Sequence, residues 1–112
     1  VLRRGRLQFM PEAALQDSIA ATLTAASIAF DRELVLSRLG RIDFFVPEIG
    51  LGVEVKVDGA ISAVTRQLHR YAQHERIQSL LLVTTKMRHH VLVPREICGK
   101  RVEVLHLIGA SL

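Results

Sequence analysis

The sequence predicts one α/β domain over residues 1–112, with a mixed central sheet flanked by helices. Three observations predict this fold. Short apolar runs rich in β-branched and aromatic residues are bounded by turn residues, two longer segments carry apolar residues at helical spacing, and a chain of 112 residues is long enough for one core. The segments follow one another as helix, strand, strand, strand, helix, strand.

The two helices are predicted at residues 11–26 and 60–76. Pro11 suits the start of a helix, because the N–H that proline lacks has no intrahelical partner there. Apolar residues then recur on one face of each helix. They are Leu15, Ile19 and Leu23 in the first helix, and Ile61, Val64, Leu68 and Ala72 in the second.

Strands are predicted at residues 28–36, 41–46, 51–57 and 79–85, with a last, edge-side strand at residues 102–107. The turn at residues 47–50 joins the second and third strands into a hairpin. Between Ser79 and Thr84 the chain is apolar, which indicates a central strand parallel to the third one after a crossover helix. A short turn or helix is expected near residues 94–97.

Three ionisable residues lie in the second and third strands. Residues two apart in a strand point to the same face, so Glu54 and Lys56 project together. The predicted hairpin brings Asp43 to the same patch. Because burying charge without partners costs several kcal/mol or more, this convergence of two carboxylates and an ammonium requires an explanation.

A metal site explains the three charges. Hard divalent ions such as Mg²⁺ bind carboxylate and carbonyl oxygens and retain waters, and they favour phosphate as a further partner. A lysine beside the ion can polarise an attacking water or stabilise the charge that builds on a phosphoryl group. The pattern therefore favours phosphodiester hydrolysis.

The run Ile42-Asp43, a spacer and Glu54-Val55-Lys56 resembles the PD-(D/E)XK nuclease signature, with isoleucine in place of proline. The resemblance implies a restriction-endonuclease-like αβββαβ core, a mixed central sheet flanked by helices. It also implies that Asp43 and Glu54 hold Mg²⁺ or Mn²⁺, with the Val55 carbonyl as a further ligand, and that Lys56 activates the nucleophile. Superfamily members commonly use a glutamate from the preceding helix, which here is Glu12, with Glu33 as a less favoured alternative.

The second predicted helix contains Gln67-Leu68-His69-Arg70-Tyr71, which is similar to the QxxxY motif of RecB-type members of the superfamily. At helical spacing, Gln67 and Tyr71 fall on one shoulder of the apolar stripe, from which they could face the site. The resemblance implies that they orient the substrate or the lysine.

Each of these residues also has a structural interpretation. Glu54 and Lys56 could form a charge pair on a solvated sheet face, and Asp43 could pair with Arg41 or cap the turn. Glu12 follows Pro11, where the helix dipole favours an acid whatever the function. Gln67 and Tyr71 could be ordinary residues at the margin of a buried helix face.

The charge balance favours a nucleic-acid partner. Lys and Arg number 15 against 11 for Asp and Glu, giving a net charge of +4, and phosphate backbones attract such a surface. A first cluster, Arg3-Arg4-Gly5-Arg6, is expected to be a flexible arm. The candidate phosphate-binding residues are Arg66 and Arg70 on the second helix and Lys86 and Arg88 after the fourth predicted strand.

The remaining composition excludes several classes of site. One cysteine, Cys98, allows no internal disulfide and no CxxC metal framework, and it suits a reducing cytoplasm. The histidines lack zinc-ligand spacing. No segment has the roughly 20 apolar residues that a membrane span needs. An apolar content of 49% in so short a chain, together with the resemblance, leads us to expect a homodimer.

The resemblance as a whole implies a metal-dependent endonuclease acting on duplex or branched DNA. Similarity to small stand-alone phage and archaeal nucleases, including junction resolvases, implies a role in repair, recombination or phage DNA processing. Two alternatives stay open: a non-catalytic nucleic-acid-binding module of a larger complex, and a nuclease toxin domain.

Overall fold

The computed structural model describes residues 11–108, and this part of the chain forms a mixed α/β fold with three α-helices and a six-stranded mixed sheet. The helices are α1 (Glu12–Ala25), α2 (Ile61–Ala72) and α3 (Met87–Leu92). The strands are β1 (Asp31–Val35), β2 (Arg41–Val46), β3 (Leu51–Lys56), β4 (Ser79–Thr84), β5 (Glu96–Ile97) and β6 (Lys100–His106). A 3-10 turn at Ser37–Leu39 joins β1 to β2.

The strands lie in the order β1-β2-β3-β4-β6-β5. β1, β2 and β3 form an antiparallel meander, and β3, β4 and β6 are parallel. The predicted hairpin and the predicted parallel crossover through α2 are both confirmed. The parallel strands finish side by side at Lys56, Thr84 and His106, and we call this the carboxyl end of the sheet.

Each face of the sheet packs against a different helix. Phe45, Leu80 and Leu82 lie on the face that contacts α2, whereas Phe44 and Val53 lie on the face that contacts Leu15 of α1. Because strand side chains alternate between the two faces, the sheet carries one apolar cluster on each face. The fold therefore buries apolar side chains of the central strands on both faces.

Gly52 in β3 allows buried side chains on the α2 side of the sheet to pack directly against its backbone. A Cβ at this position would lie 2.5 Å from the Cδ1 of Ile42 and 3.0 Å from the Cδ1 of Ile77. Both isoleucines are fully buried. A larger residue would displace core side chains, because protein interiors have few voids.

Among residues 11–108, the α1-side face is covered in part only. An apolar groove of about 340 Å³ runs between α1 and the side chains of the neighbouring strands. Leu15, Ile19 and Leu23 of α1 line one side, and Leu81, Val83, Leu105 and Leu107 are among the residues that complete it. Leu105 remains 48% exposed.

Two predicted elements in the later part of the chain are present at different positions. The predicted helix at 60–76 ends at Ala72, because the chain turns at His74, whose Nδ1 accepts the Arg76 N–H at 3.1 Å, and Ile77 then enters the core. The expected turn or helix near 94–97 is instead the strand β5, and the helix, α3, lies earlier.

The last predicted strand also needs correction. β6 begins at Lys100 rather than Val102, and β5 lies outside it, so β6 is not the edge strand along its whole length. The β5–β6 hairpin turns at Cys98 and Gly99, whose φ angles are +54° and +74°. Two consecutive positive φ angles match the short turns that suit hairpins, but Cys-Gly is a weaker sequence signal for such a turn than Asn-Gly.

No helix within residues 11–108 is both long and apolar enough to cross a membrane. The predicted basic arm at Arg3-Arg4-Gly5-Arg6 lies outside the described residues.

Candidate active site

The candidate site lies where β2 and β3 separate. Their paired register runs from Val46↔Leu51 to Phe44↔Val53 and does not continue past Phe44. Beyond it, the Asp43 carboxylate takes the place of a backbone acceptor, because its Oδ2 accepts the Val55 N–H at 2.7 Å. The aspartate side chain is thus inserted between the two strands near the carboxyl end of the sheet.

Glu54 and Lys56 form a close pair beside Asp43, as the strand spacing predicts. Lys56 Nζ lies 3.2 Å from Glu54 Oε2, and the Glu54 side chain is 3% exposed. The other oxygen, Glu54 Oε1, accepts a long hydrogen bond of 3.4 Å from the Asp43 N–H. The structure therefore brings Asp43, Glu54 and Lys56 together, and the Glu54–Lys56 pair is not on a solvated face.

The negative charges of Asp43 and Glu54 are destabilised in the folded protein. Burial, and secondarily the Asp43 charge, raises the pKa of Glu54 from 4.5 to about 7, although Lys56 opposes the shift. Burial also raises the pKa of Asp43, against the lowering effect of the Val55 N–H. The single positive charge of Lys56 does not neutralise two carboxylates. A further cation bound beside them would therefore be attracted by the remaining negative charge.

Two further acids lie at the margin of the site. The charges of Glu12 and Glu33 both contribute to the raised pKa of Asp43. Glu33 pairs with Arg41 at 3.6 Å, and both side chains are largely exposed. Glu12 lies in the first turn of α1. Within residues 11–108 there is no group of three or more His, Cys, Asp and Glu side chains placed to hold a metal ion, so neither acid joins Asp43 and Glu54 in such a group.

Gln67 and Tyr71 contact each other and the start of β2. The Gln67 Nε2 donates to the Tyr71 hydroxyl at 2.8 Å, and that hydroxyl donates to the Arg41 carbonyl at 3.0 Å. Burial, followed by the charge of Glu54, raises the pKa of the phenol. The pair fixes the backbone two residues before Asp43; no hydrogen bond from either side chain to Lys56 is present.

The predicted cationic residues differ in their partners. Arg66 and Arg70 are exposed on α2, and Arg70 Nε donates to the Leu39 carbonyl at 3.3 Å. Arg88 pairs with Asp58 at 2.9 Å and also donates to the Gly59 carbonyl at 3.0 Å. The Gly59 N–H and then the Arg88 guanidinium lower the pKa of Asp58 by hydrogen bonding, and the charge of Lys86 adds a smaller effect in the same direction. Arg88 is therefore engaged with the loop after β3, whereas Arg66 presents its charge to solvent.

His89 is not among the site residues that the sequence predicts. It is fully buried on α3, with its Nε2 2.8 Å from the Gly59 carbonyl and its Nδ1 2.7 Å from the Thr84 hydroxyl. The adjacent histidine, His90, stacks on His106 with ring centroids 5.7 Å apart. Adjacent side chains point in different directions in a helix or a strand, and the tertiary partners of His89 decide which of the two is buried.

Comparisons with protein-family models, with characterised proteins and with solved structures find no match to this chain.

Proposed function

We propose that this chain is a metal-dependent endonuclease of the PD-(D/E)XK type that hydrolyses DNA phosphodiester bonds. The observation that carries the proposal is the meeting of Asp43, Glu54 and Lys56 where β2 and β3 separate. Burial raises the pKa of both acids, and the Asp43 charge raises that of Glu54 further. Such groups are costly to a fold and concentrate at functional sites.

The donor set fits a hard divalent cation such as Mg²⁺ or Mn²⁺. Asp43 and Glu54 supply carboxylate oxygens in close proximity, and both have a raised pKa, which is the electrostatic condition that a cation relieves. The N–H and C=O of one strand residue point to the same side, so the Val55 carbonyl faces the gap in which its N–H meets Asp43. These residues would hold the ion, and Glu12 would support it through water.

The divalent ion would supply positive charge to the scissile phosphate. Lys56 is placed by its pairing with Glu54, and its ammonium donates hydrogen bonds to the attacking water or to the developing phosphoryl charge. Asp43 keeps β2 and β3 in a fixed separation through the Val55 N–H. Gln67 and Tyr71 act through the Arg41 carbonyl, which lies two residues before Asp43.

DNA is the proposed substrate because of the net charge of +4 and the exposed cations Arg66 and Arg70, on the same helix as Gln67. These arginines would contact phosphates that flank the cut. Lys86 would contact the phosphate backbone from the other side of the site, and Arg88 would add charge there while paired with Asp58. We also propose that two copies act together as a homodimer.

A cleavage assay tests the proposed function. The parent protein is incubated with labelled single-stranded, duplex and branched DNA, and with RNA of the same sequence, in the presence of Mg²⁺, Mn²⁺ or EDTA. Asp43→Asn and Lys56→Ala are assayed beside it. Lys100→Ala is a matched control, because Lys100 lies at the opposite end of the parallel strands.

We expect metal-dependent cleavage of DNA by the parent and by Lys100→Ala, and loss of cleavage in the two site variants. Equal cleavage by all four proteins would indicate a contaminating nuclease and would contradict the proposal. DNA binding without cleavage by the parent would favour a non-catalytic nucleic-acid-binding module. Toxicity on expression that disappears with Lys56→Ala would favour a toxin domain with the same chemistry.

A further inference from the structure

The buried histidine of α3 lies in a network that connects three elements around the candidate site. His89 is fully buried, and both of its ring nitrogens are within hydrogen-bond distance of an oxygen. One of these oxygens belongs to Thr84 at the end of β4, and the other is the Gly59 carbonyl in the loop between β3 and α2. A single side chain thus joins β4, α3 and that loop.

The Gly59 carbonyl fixes a hydrogen on the Nε2 of the ring. A carbonyl oxygen can only accept, so the Nε2 of His89 carries the hydrogen that meets the Gly59 carbonyl at 2.8 Å. In the neutral ring the Nδ1 then accepts from the Thr84 hydroxyl, 2.7 Å away. The Thr84 oxygen in turn accepts the Lys86 N–H at 3.0 Å. Both ring nitrogens of His89 and the Thr84 hydroxyl therefore have hydrogen-bond partners.

The loop held by this network begins directly after Lys56. Thr84 is the register partner of Lys56 in the parallel ladder. The Thr85 N–H donates to the Lys56 carbonyl at 3.3 Å, and the Arg88 guanidinium donates to the Gly59 carbonyl at 3.0 Å. The end of β4 and the first turn of α3 therefore determine the course of the chain that leaves the lysine.

The same loop leads into the helix that carries Gln67 and Tyr71. Gly59 has a φ of +113°, which only glycine adopts readily, and a Cβ there would lie 3.3 Å from Val64 in α2. A shift of the Gly59 peptide would consequently move both the backbone after Lys56 and the start of α2.

We propose that His89 is a positioning residue for the reaction, which holds the Gly59 peptide so that Lys56 and the Gln67–Tyr71 pair keep their placement around the acid pair. This inference rests on the proposed function. It concerns the orientation of groups and not a direct contact with DNA, because His89 is fully buried. Arg88 shares the Gly59 carbonyl with His89 but also keeps its own pairing with Asp58. Its loss should lower kcat and leave KM nearly unchanged.

Substitutions of His89 separate its hydrogen bonds from its volume. His89→Phe keeps a flat aromatic ring, somewhat larger than imidazole, and removes both hydrogen bonds, whereas His89→Gln retains an N–H donor near the position of the original Nε2. Thr84→Val is a second change that leaves His89 in place and removes the hydroxyl, which is the partner of the His89 Nδ1 and the acceptor of the Lys86 N–H. His90→Gln is the matched control, since it alters the adjacent histidine on the same helix, which contacts Arg95 and His106 instead of the loop.

The measurement is steady-state cleavage of duplex DNA with Mg²⁺ by the full chain, with the melting temperature of each variant recorded and assays run well below it. Since a misplacement of about 1 Å can cost about 100-fold in rate, we expect kcat of His89→Phe to fall between about 10- and 100-fold with KM changed less than about twofold. Thr84→Val should show a smaller loss of the same kind. His89→Gln should recover most of the rate, and His90→Gln should match the parent.

A parental kcat in His89→Phe would overturn the inference. So would a rate for His89→Gln as low as that of His89→Phe, because the Gly59 hydrogen bond would then be irrelevant. If His89→Phe fails to fold, the kcat of Thr84→Val decides in its place, and a parental value overturns the inference. Cleavage by the parent with no effect of these variants removes only the role of His89, whereas no cleavage by the parent removes the proposed function and this role together.

Discussion

The Asp43 carboxylate accepts the Val55 N–H at 2.7 Å, in the gap where backbone pairing between β2 and β3 has ended. This one contact gives the aspartate a structural function as well as the proposed chemical one. A substitution at Asp43 can therefore affect stability and activity separately, depending on whether the hydrogen bond to Val55 survives.

Asp43→Asn should preserve the fold and abolish cleavage. The asparagine carbonyl can still accept the Val55 N–H, but it lacks the charge that a cation needs. Asp43→Ala should lose the hydrogen bond as well, at about 1.5–3 kcal/mol of unfolding free energy. Urea unfolding of the two variants measures the difference, and equal stability of the two would contradict the structural function of the carboxylate.

Divalent cations should stabilise the folded parent protein. An ion that binds only the folded state adds about 1.4 kcal/mol at ten times its Kd, which a thermal melt with increasing Mg²⁺ or Mn²⁺ detects. Asp43→Asn provides the control, since it should show no such increase. A parent melting temperature that is the same in EDTA and in Mg²⁺ would count against a metal site at Asp43 and Glu54.

The metal-free protein should become less stable as the pH rises from about 4.5 to about 7. The pKa of Glu54 is raised from 4.5 to about 7 on folding, so the folded state binds a proton that the unfolded state has already released in this range. The free energy of unfolding should fall by roughly 3 kcal/mol in total, with no decrease below pH 4.5 and the full decrease above pH 7. Asp43, whose pKa is also raised, acts in the same direction.

Glu54→Gln is the comparison protein for this pH dependence. Urea unfolding in EDTA at several pH values should give a flatter profile for the variant than for the parent. Parallel profiles would show that Glu54 titrates normally, and the argument for an uncompensated acid pair would then fail.

Tyr71→Phe should destabilise the protein more than it slows cleavage. The substitution keeps the buried ring but leaves the Arg41 carbonyl and the Gln67 amide without the hydroxyl, at about 1–2 kcal/mol. Its effect on kcat should stay below about tenfold. In a Gln67→Ala background, Tyr71→Phe should lower the free energy of unfolding by less, because the Gln67–Tyr71 hydrogen bond is already absent. If the effects of the two substitutions simply add, the pair is not coupled.

Arg66→Ala and Arg70→Ala should weaken DNA binding and reduce its salt dependence. Each lost phosphate contact should lower the slope of log K against log salt by about 0.9, as measured by titration at several salt concentrations with Ca²⁺ or without metal. Arg101→Ala is the control, since Arg101 pairs with Glu103 and lies at the opposite end of the parallel strands. An equal change of slope in the control would assign the effect to net charge alone.

The sequence was sufficient to predict the elements that carry strong patterns. The bounds of β2 agree with the prediction, and the alternation in β3 places Glu54 and Lys56 together as expected. The hairpin register then makes the approach of Asp43 predictable. These features depend on local period and a short turn, which single sequences record well.

The region after β4 was less predictable because its determinants are tertiary. α3 has only 6 residues, so hydrophobic period has too few turns to indicate it, and His89 is buried only because Thr84 and Gly59 supply partners for both ring nitrogens. Its neighbour His90 has the same composition around it in the sequence and a different environment. The pairing of Arg88 with Asp58 likewise joins residues that no local pattern relates.

The groove beside α1 has a practical consequence for the stability measurements. Its Leu and Val lining would admit the apolar dyes that report unfolding by fluorescence, since such dyes bind exposed apolar surface. The folded protein should then fluoresce brightly at the start of a melt, and the transition would be masked. Circular dichroism is the suitable signal for this chain.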